Sequence, residues 1–128
     1  MVYSQMRRGK GGMFVSDCVF CKIVSGELPS QKVYEDDRVL AFEDISPAAP
    51  VHVLIIPKKH IPSIMHLKEE DLPLIQDIHR VGQQVADQLG VSQKGFRLVN
   101  NCGEDGGQTV DHLHYHLLGG RHLSWPPG

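Results

Sequence analysis

Apolar and polar positions along the chain follow two periods, and the switches between them outline the elements. Residues 18–26, "CVFCKIVSG", read as a short helix stopped by Gly26, followed by a loop containing Pro29. Two strands then follow, "KVYEDD" (32–37) and "RVLAFED" (38–44), joined by an acidic turn. The small residues and prolines of "DISPAAP" (44–50) predict a loop. A third strand, "VHVLIIPKKH" (51–60), is β-branched and apolar and ends at Pro57. Residues 66–90 take the helical period, with Leu72, Ile75, Ile78, Val85 and Leu89 on one stripe, acidic residues in the first turn, and Gly90 as the stop. "GFRLVN" (95–100) and "DHLHYHLL" (111–118) are two further strands around a glycine-rich loop, "NCGEDGGQT" (101–109). With no internal repeat or linker, this is a single α+β domain over residues 17–128. It is predicted to have an antiparallel sheet of about five strands, one long helix and a short N-terminal helix.

Composition narrows the function more than the fold. The 128 residues suit one core, and a net charge of −2 with mixed signs leaves no basic stripe for nucleic acid or a membrane surface. No apolar stretch approaches the ~20 residues of a membrane helix. The first 16 residues, basic but without an apolar centre, read as a disordered tail or an upstream start, with Met13 as an alternative beginning. Three cysteines do not form a disulfide framework, which points to a reducing cytoplasm.

The chemistry concentrates in "DHLHYHLLGG" (111–120), where His112, His114 and His116 occupy every second position. In a strand such residues share a face, each ~6.8 Å beyond the last. Zinc requires its ligands within ~2.0–2.3 Å of one point, so a triad spread over ~13 Å cannot cage an ion alone. A catalytic use fits better. Imidazole with a pKa near ~6.5 offers a neutral nucleophile at pH 7, and a neighbouring imidazole can donate to a phosphate oxygen. The loop "GEDGGQT" before it can bring backbone N–H groups of residues such as Gly107 to an anion, with side-chain donors from Gln108 and Thr109. No P-loop or magnesium-spaced carboxylates are present, so phosphate chemistry here is expected to need no metal at phosphorus.

His112–Leu113–His114–Tyr115–His116–Leu117–Leu118 resembles the His-φ-His-φ-His-φ-φ signature of the histidine triad (HIT) superfamily. "FEDISPAAPVHVLIIPKKHI", "NNCGEDGGQTVDHLHYHLLGGR" and the terminal "WPPG" resemble its Hint branch, the purine nucleoside phosphoramidases. That resemblance implies His114 as the nucleophile toward an α-phosphorus, with a nucleotidyl-histidine intermediate that water hydrolyses. It implies His116 as the phosphate contact, the carbonyl of His112 as the group orienting His114, and His52 as a fourth active-site histidine. Thr109 stands where serine is usual, near the leaving group. Asp44 and Ile45 match the ribose- and base-facing pair, Phe20, Ile23 and Leu28 would wall a purine, and Asn101 would lie near the phosphate. Without the resemblance, Phe20, Ile23 and Leu28 read equally as core, Asp44 as a turn residue and His52 as a satisfied strand histidine. The implied partners are a purine nucleotide and a second copy of the chain, with the long helix and a strand at the dimer interface. Alternatives within reach of the same residues are a dinucleoside polyphosphate hydrolase and a non-catalytic nucleotide-binding protein.

Cys18 and Cys21 form a C-x-x-C that lacks the βαβ context of a redox pair and, as a metal site, needs two more ligands. Microbial HIT proteins with a "C-x-F-C-K-I" start imply a structural zinc on Cys18, Cys21, His60 and His112, which leaves His114 and His116 for chemistry. Cys102 has no evident partner, and His66, His79 and His122 read as surface or packing residues. Asp111 precedes the triad where an apolar or aromatic residue is expected.

Overall fold

The computed structural model describes residues 17–128; the expected N-terminal tail lies outside the described residues. Helix α1 (Val19–Ser25) is followed by strands β1 (Lys32–Glu35), β2 (Val39–Glu43) and β3 (Val51–Pro57), helix α2 (Leu72–Gln88), and strands β4 (Phe96–Asn100) and β5 (Tyr115–Gly119). The strands form one antiparallel sheet of five, as the sequence predicts, in the order β1-β2-β3-β5-β4.

Strand alternation sorts the side chains into two cores. Val39, Ala41, Val53, Ile55 and Leu117 meet Ile78, Val81, Val85 and Ala86 of α2 on one face. Leu40, Phe42, Leu54 and Ile56 meet Phe20 and Ile23 of α1 on the other. β3 is therefore buried on both faces, and this is why its sequence is an unbroken apolar run rather than an alternation. His52 and His116 belong to the α1 face, the face on which the candidate site is built.

Three boundaries differ from the sequence expectation. β1 stops at Glu35 because Asp36 closes a turn, its Oδ1 accepting from the N–H groups of Arg38 and Val39 at 2.7 and 2.8 Å. The long helix starts at Leu72 rather than 66. Two 3₁₀ turns, Ile64–His66 and Glu69–Asp71, precede it, and the second is pinned by Asp71 Oδ2 accepting from Lys68 N–H at 3.0 Å. Leu72, expected on the buried stripe, is consequently 53% exposed, and Val81 and Ala86 extend the stripe instead. The last strand begins at Tyr115, so His112 and His114 lie in an irregular segment ahead of it. At the C-terminus Arg97 donates to the carbonyls of Leu123 and Ser124 and faces the Trp125 ring, tying the end of the chain to β4. Among the described residues no helix is long and apolar enough to cross a membrane.

Candidate active site and metal centre

β3 and β5 bring the first pair of functional side chains together. Leu54 lies opposite His116 and His52 opposite Leu118, so His52 and His116 are diagonal neighbours on one face. Their rings meet, His52 Nε2 to His116 Nδ1 at 2.9 Å. His114 joins from the irregular segment, its ring centroid 5.1 Å from that of His116 and 5.1 Å from that of Phe20. His114 and His116 thus meet, while the His112 ring turns away toward Cys18 and Cys21, so the three imidazoles do not converge on one point, as the strand spacing predicts.

The hydrogen bonds assign a proton to each ring. Ala48 N–H donates to His52 Nδ1 at 2.9 Å, so a neutral His52 carries its proton on Nε2 and donates it to His116 Nδ1. His116 then holds its own proton on Nε2. His114 Nδ1 donates to the carbonyl of His112 at 2.7 Å, which leaves the lone pair on Nε2, and among the described residues that atom has no hydrogen-bond partner, as a nucleophile requires. All three rings are buried, and desolvation holds each below the ordinary imidazole pKa. For His116 the neighbouring His114 and His52 add to desolvation and bring it down to about 3. At pH 7 these rings are therefore neutral.

Asp44 completes the cluster. Its Oδ1 accepts from Ser46 N–H at 2.8 Å, while Oδ2, 3.6 Å from His52 Nε2, is buried without a hydrogen-bond partner among the described residues. Asp44, His52 and His116 have ligand-type atoms within 4.8 Å of one another. The Ala48 bond, however, puts a proton rather than a lone pair on His52 Nε2, so the trio is a hydrogen-bonded histidine pair beside a carboxylate and not a cation cradle.

The remaining predicted residues divide. Phe20 and Ile23 are fully buried in the α1 core, Phe20 edge-on to His112 and His114, so they support the histidines instead of presenting an open wall. Leu28 is half-buried at the edge of that core, and Ile45 is 49% exposed. The glycine-rich loop is corrected in one respect. Gln108 does not offer a free amide, because Nε2 donates to the carbonyls of Pro62 and Val110, and Oε1 accepts from Gly103 N–H. Its backbone N–H and that of Gly107 are also bonded inside the loop, to Gly103 and Glu104. Asn101 Nδ2 likewise clamps the loop through Gly106 O at 2.7 Å. These residues shape the loop. Thr109 is half-buried and makes no side-chain hydrogen bond among the described residues.

The second cluster lies on the other side of His112. Cys18 and Cys21, both free thiols, sit at the N-terminus of α1, and Cys21 N–H donates to Cys18 Sγ at 3.4 Å. Cys21 Sγ is 3.2 Å from His60 Nδ1, and His112 Nδ1 is 3.4 and 3.6 Å from the Sγ atoms of Cys18 and Cys21. A tetrahedral ion with thiolate and imidazole ligands sets its ligand atoms about 3.3–3.8 Å apart. The four atoms fit such a centre and could hold a metal ion. The orientation fits as well. His112 Nε2 donates to Pro57 O at 2.8 Å, which fixes the Nδ1 lone pair toward the sulfurs. Burial and the adjacent Cys18 push the Cys21 thiol up to about 12. Burial holds His112 down to about 4 and lowers His60, an effect that the nearby Asp111 carboxylate opposes. Asp111 thereby gains a physical setting that the sequence did not supply.

The depressed histidines make stability pH-dependent. Below the unfolded pKa near 6.5 the unfolded chain takes up protons that the buried rings refuse, so stability falls as pH drops from 6.5 toward their folded values. Each such ring loses at most about 2 kcal/mol between pH 6.5 and 5. Urea unfolding at pH 7 and 5 should show a midpoint several tenths molar or more lower at pH 5; equal midpoints would refute the burial of neutral rings.

Fold and site together define a small antiparallel α+β protein with a buried, tautomer-fixed histidine cluster beside a Cys₂His₂ centre. Residues 17–124 match the family described as "Scavenger mRNA decapping enzyme C-term binding". A HIT-like protein of Synechocystis is 51% identical over 112 residues, covering 88% of this chain and 97% of that one. Among solved structures, a HIT family hydrolase from Legionella pneumophila superposes with a TM-score of 0.85 at 50% identity, covering 87% of this chain and 99% of that one. A histidine triad protein from Clostridium difficile gives 0.84 at 53% identity, covering 88% and 97%. The chain belongs to the histidine triad (HIT) family, and its similarity to HIT family hydrolases supports a hydrolase.

Proposed function

We propose that the chain hydrolyses purine nucleoside phosphoramidates, such as AMP joined to an amine, through a nucleotidyl-histidine intermediate. The observation that carries this reading is the His114 ring, buried and neutral, with Nδ1–H spent on His112 O and Nε2 left with a free lone pair. That lone pair forms a bond to the α-phosphorus while the P–N bond breaks. The amine leaves with the P–N electron pair and a proton from solvent arriving past the Thr109 hydroxyl. Water then attacks phosphorus, returns a proton to solvent, and releases His114 Nε2 and the nucleoside monophosphate. His116 Nε2–H lies beside the transferring group as a donor to a phosphoryl oxygen, where charge builds up. The buried, unpartnered Asp44 Oδ2 is an acceptor waiting for a donor, which a ribose hydroxyl supplies. Ile45 and Leu28 offer apolar surface to a flat purine.

The Cys18, Cys21, His60 and His112 set is assigned to zinc by its two sulfurs and two imidazoles. When bound, zinc supplies a structural clamp with no redox chemistry, away from the reacting phosphorus. The reading also includes a homodimer, for which the open edge of β4 and the 80% exposed Trp125 offer surface, in a reducing cytoplasm suited to free thiols.

Rapid quench during turnover of an adenosine phosphoramidate, followed by intact-protein mass spectrometry, tests the intermediate. The expected product is protein heavier by one nucleotidyl group on His114. A panel of adenosine and guanosine phosphoramidates and dinucleoside polyphosphates then separates leaving groups, with phosphoramidates expected to turn over fastest. Binding of AMP without an adduct or turnover from any substrate would favour a non-catalytic nucleotide-binding protein.

A further inference from the structure

A path of single hydrogen bonds runs from the surface at the end of β5 into the histidine cluster. After β5 the chain turns at Gly120, where φ is +90° and a Cβ would lie 2.9 Å from Pro50 Cβ. Only glycine allows so close an approach to the 44–50 loop. The next residue, Arg121, uses that approach. Its Nη2 donates to Ala48 O at 2.9 Å, and its Nη1 donates to His122 O at 3.1 Å.

Ala48 is the residue whose N–H fixes His52. Among the described residues, two hydrogen bonds join residues 45–50 to side chains outside the loop: Ala48 N–H to His52 Nδ1 and Arg121 to Ala48 O. One alanine is therefore gripped at both ends of its main chain, by a catalytic-cluster imidazole and by a guanidinium. We propose that Arg121 is a positioning residue for the candidate active site. Through the main chain of Ala48 it holds His52 in the tautomer protonated on Nε2, and through His52 it keeps the His116 proton on Nε2.

Tautomer choice makes this contact consequential. If Ala48 N–H moves away from Nδ1, a neutral His52 is free to place its proton there, and its Nε2 lone pair then faces His116. His116 answers by shifting its proton to Nδ1, which leaves a lone pair on Nε2, where a phosphoryl oxygen needs a donor. The number of protons in the site is unchanged, and one donor is lost. Arginine suits the position because its fork reaches two carbonyls at once, pinning the post-strand turn to the loop.

The effect on rate rests on the hydrolase reading above, whereas the effect on tautomers does not. The test compares wild-type full-length chain with Arg121→Met and Arg121→Lys, each ¹⁵N-labelled at histidine. Long-range ¹H–¹⁵N spectra at neutral pH report which ring nitrogen carries the proton. Wild type is expected to show His52 and His116 protonated on Nε2. Arg121→Met is expected to show mixed tautomers at both rings and, with a phosphoramidate, kcat lower by about tenfold at a KM within about twofold. Arg121→Lys, which keeps a donor, is expected to recover most of both signals. Arg121→Leu, which likewise lacks a donor, carries the same comparison should the methionine variant fail to fold. Unchanged His52 and His116 spectra in the variants, or a loss carried entirely by KM, would overturn the assignment. Absence of turnover in wild type would count against the hydrolase reading and leave the tautomer comparison standing.

Discussion

His114→Asn is expected to remove turnover by about 10⁴-fold while the protein stays folded and still binds AMP. Asparagine suits this test better than alanine alone. Its amide N–H can take over the bond that His114 Nδ1 makes to His112 O, so the main-chain path of residues 112–114 is preserved. What disappears is the lone pair on Nε2, the atom assigned to attack phosphorus. His114→Ala should lose as much activity and also some stability. The side chain is only 2% exposed and packs against Phe20, so truncation leaves a cavity in a close-packed region. The measurement is single-turnover hydrolysis of an adenosine phosphoramidate alongside AMP binding by calorimetry. Activity within tenfold of wild type in the asparagine variant would remove His114 as nucleophile. Loss of AMP binding together with activity would make it a binding residue instead.

The element order, the sheet, the triad and the C-x-x-C were legible in the sequence, because each rests on side-chain identity at a fixed spacing; Asp44, His52 and the joining of His60 and His112 to the cysteines came from the family resemblance, since no spacing links them. Cys18 and Cys21 lie one helical turn apart at the start of α1, and the alternation of residues 112–117 sends histidines to one side of the sheet and Tyr115 and Leu117 to the other. The illegible parts depend on the main chain. Residues 111–114 alternate in type as a strand does, yet Asp111 and His112 lie in a bend and the segment is not paired as a strand. His112 is therefore free to turn toward the cysteines while His114 turns toward His116. Ala48 N–H, Pro57 O and His112 O each decide a tautomer, and a backbone amide or carbonyl leaves no trace in residue type. Asn100, whose Nδ2 donates to His114 O, and Arg121, which donates to Ala48 O, were missed for the same reason: their partners are main-chain atoms. Gln108 was misjudged in the opposite sense. Its amide suits an anion, but the 5% exposed side chain meets three backbone groups first.

Replacing both cysteines, Cys18→Ala with Cys21→Ala, is expected to eliminate one bound zinc per chain and lower the melting temperature of the metal-loaded protein by about 15 °C. A ligand present at about a thousand times its Kd stabilises the folded state by about 4 kcal/mol, and each kcal/mol moves Tm by about 4 °C in a domain of this size. The loss is concentrated locally because the four ligands come from α1, the segment after β3 and the segment before β5, which the sheet alone does not lock together. Turnover should survive far better, within about tenfold of wild type. His112 serves the two clusters with different atoms: its ring faces the cysteines, and its carbonyl accepts from His114. The ring also retains its bond to Pro57 O when the sulfurs are gone, so the carbonyl stays near its place. Metal content by mass spectrometry, thermal unfolding with and without a chelator, and kcat on the same samples separate these effects. Wild-type protein without bound metal and with the melting temperature of the double variant would dismiss the centre. A collapse of kcat beyond 10³-fold in a folded variant would show instead that the ring of His112 holds its carbonyl in place only while the centre is formed.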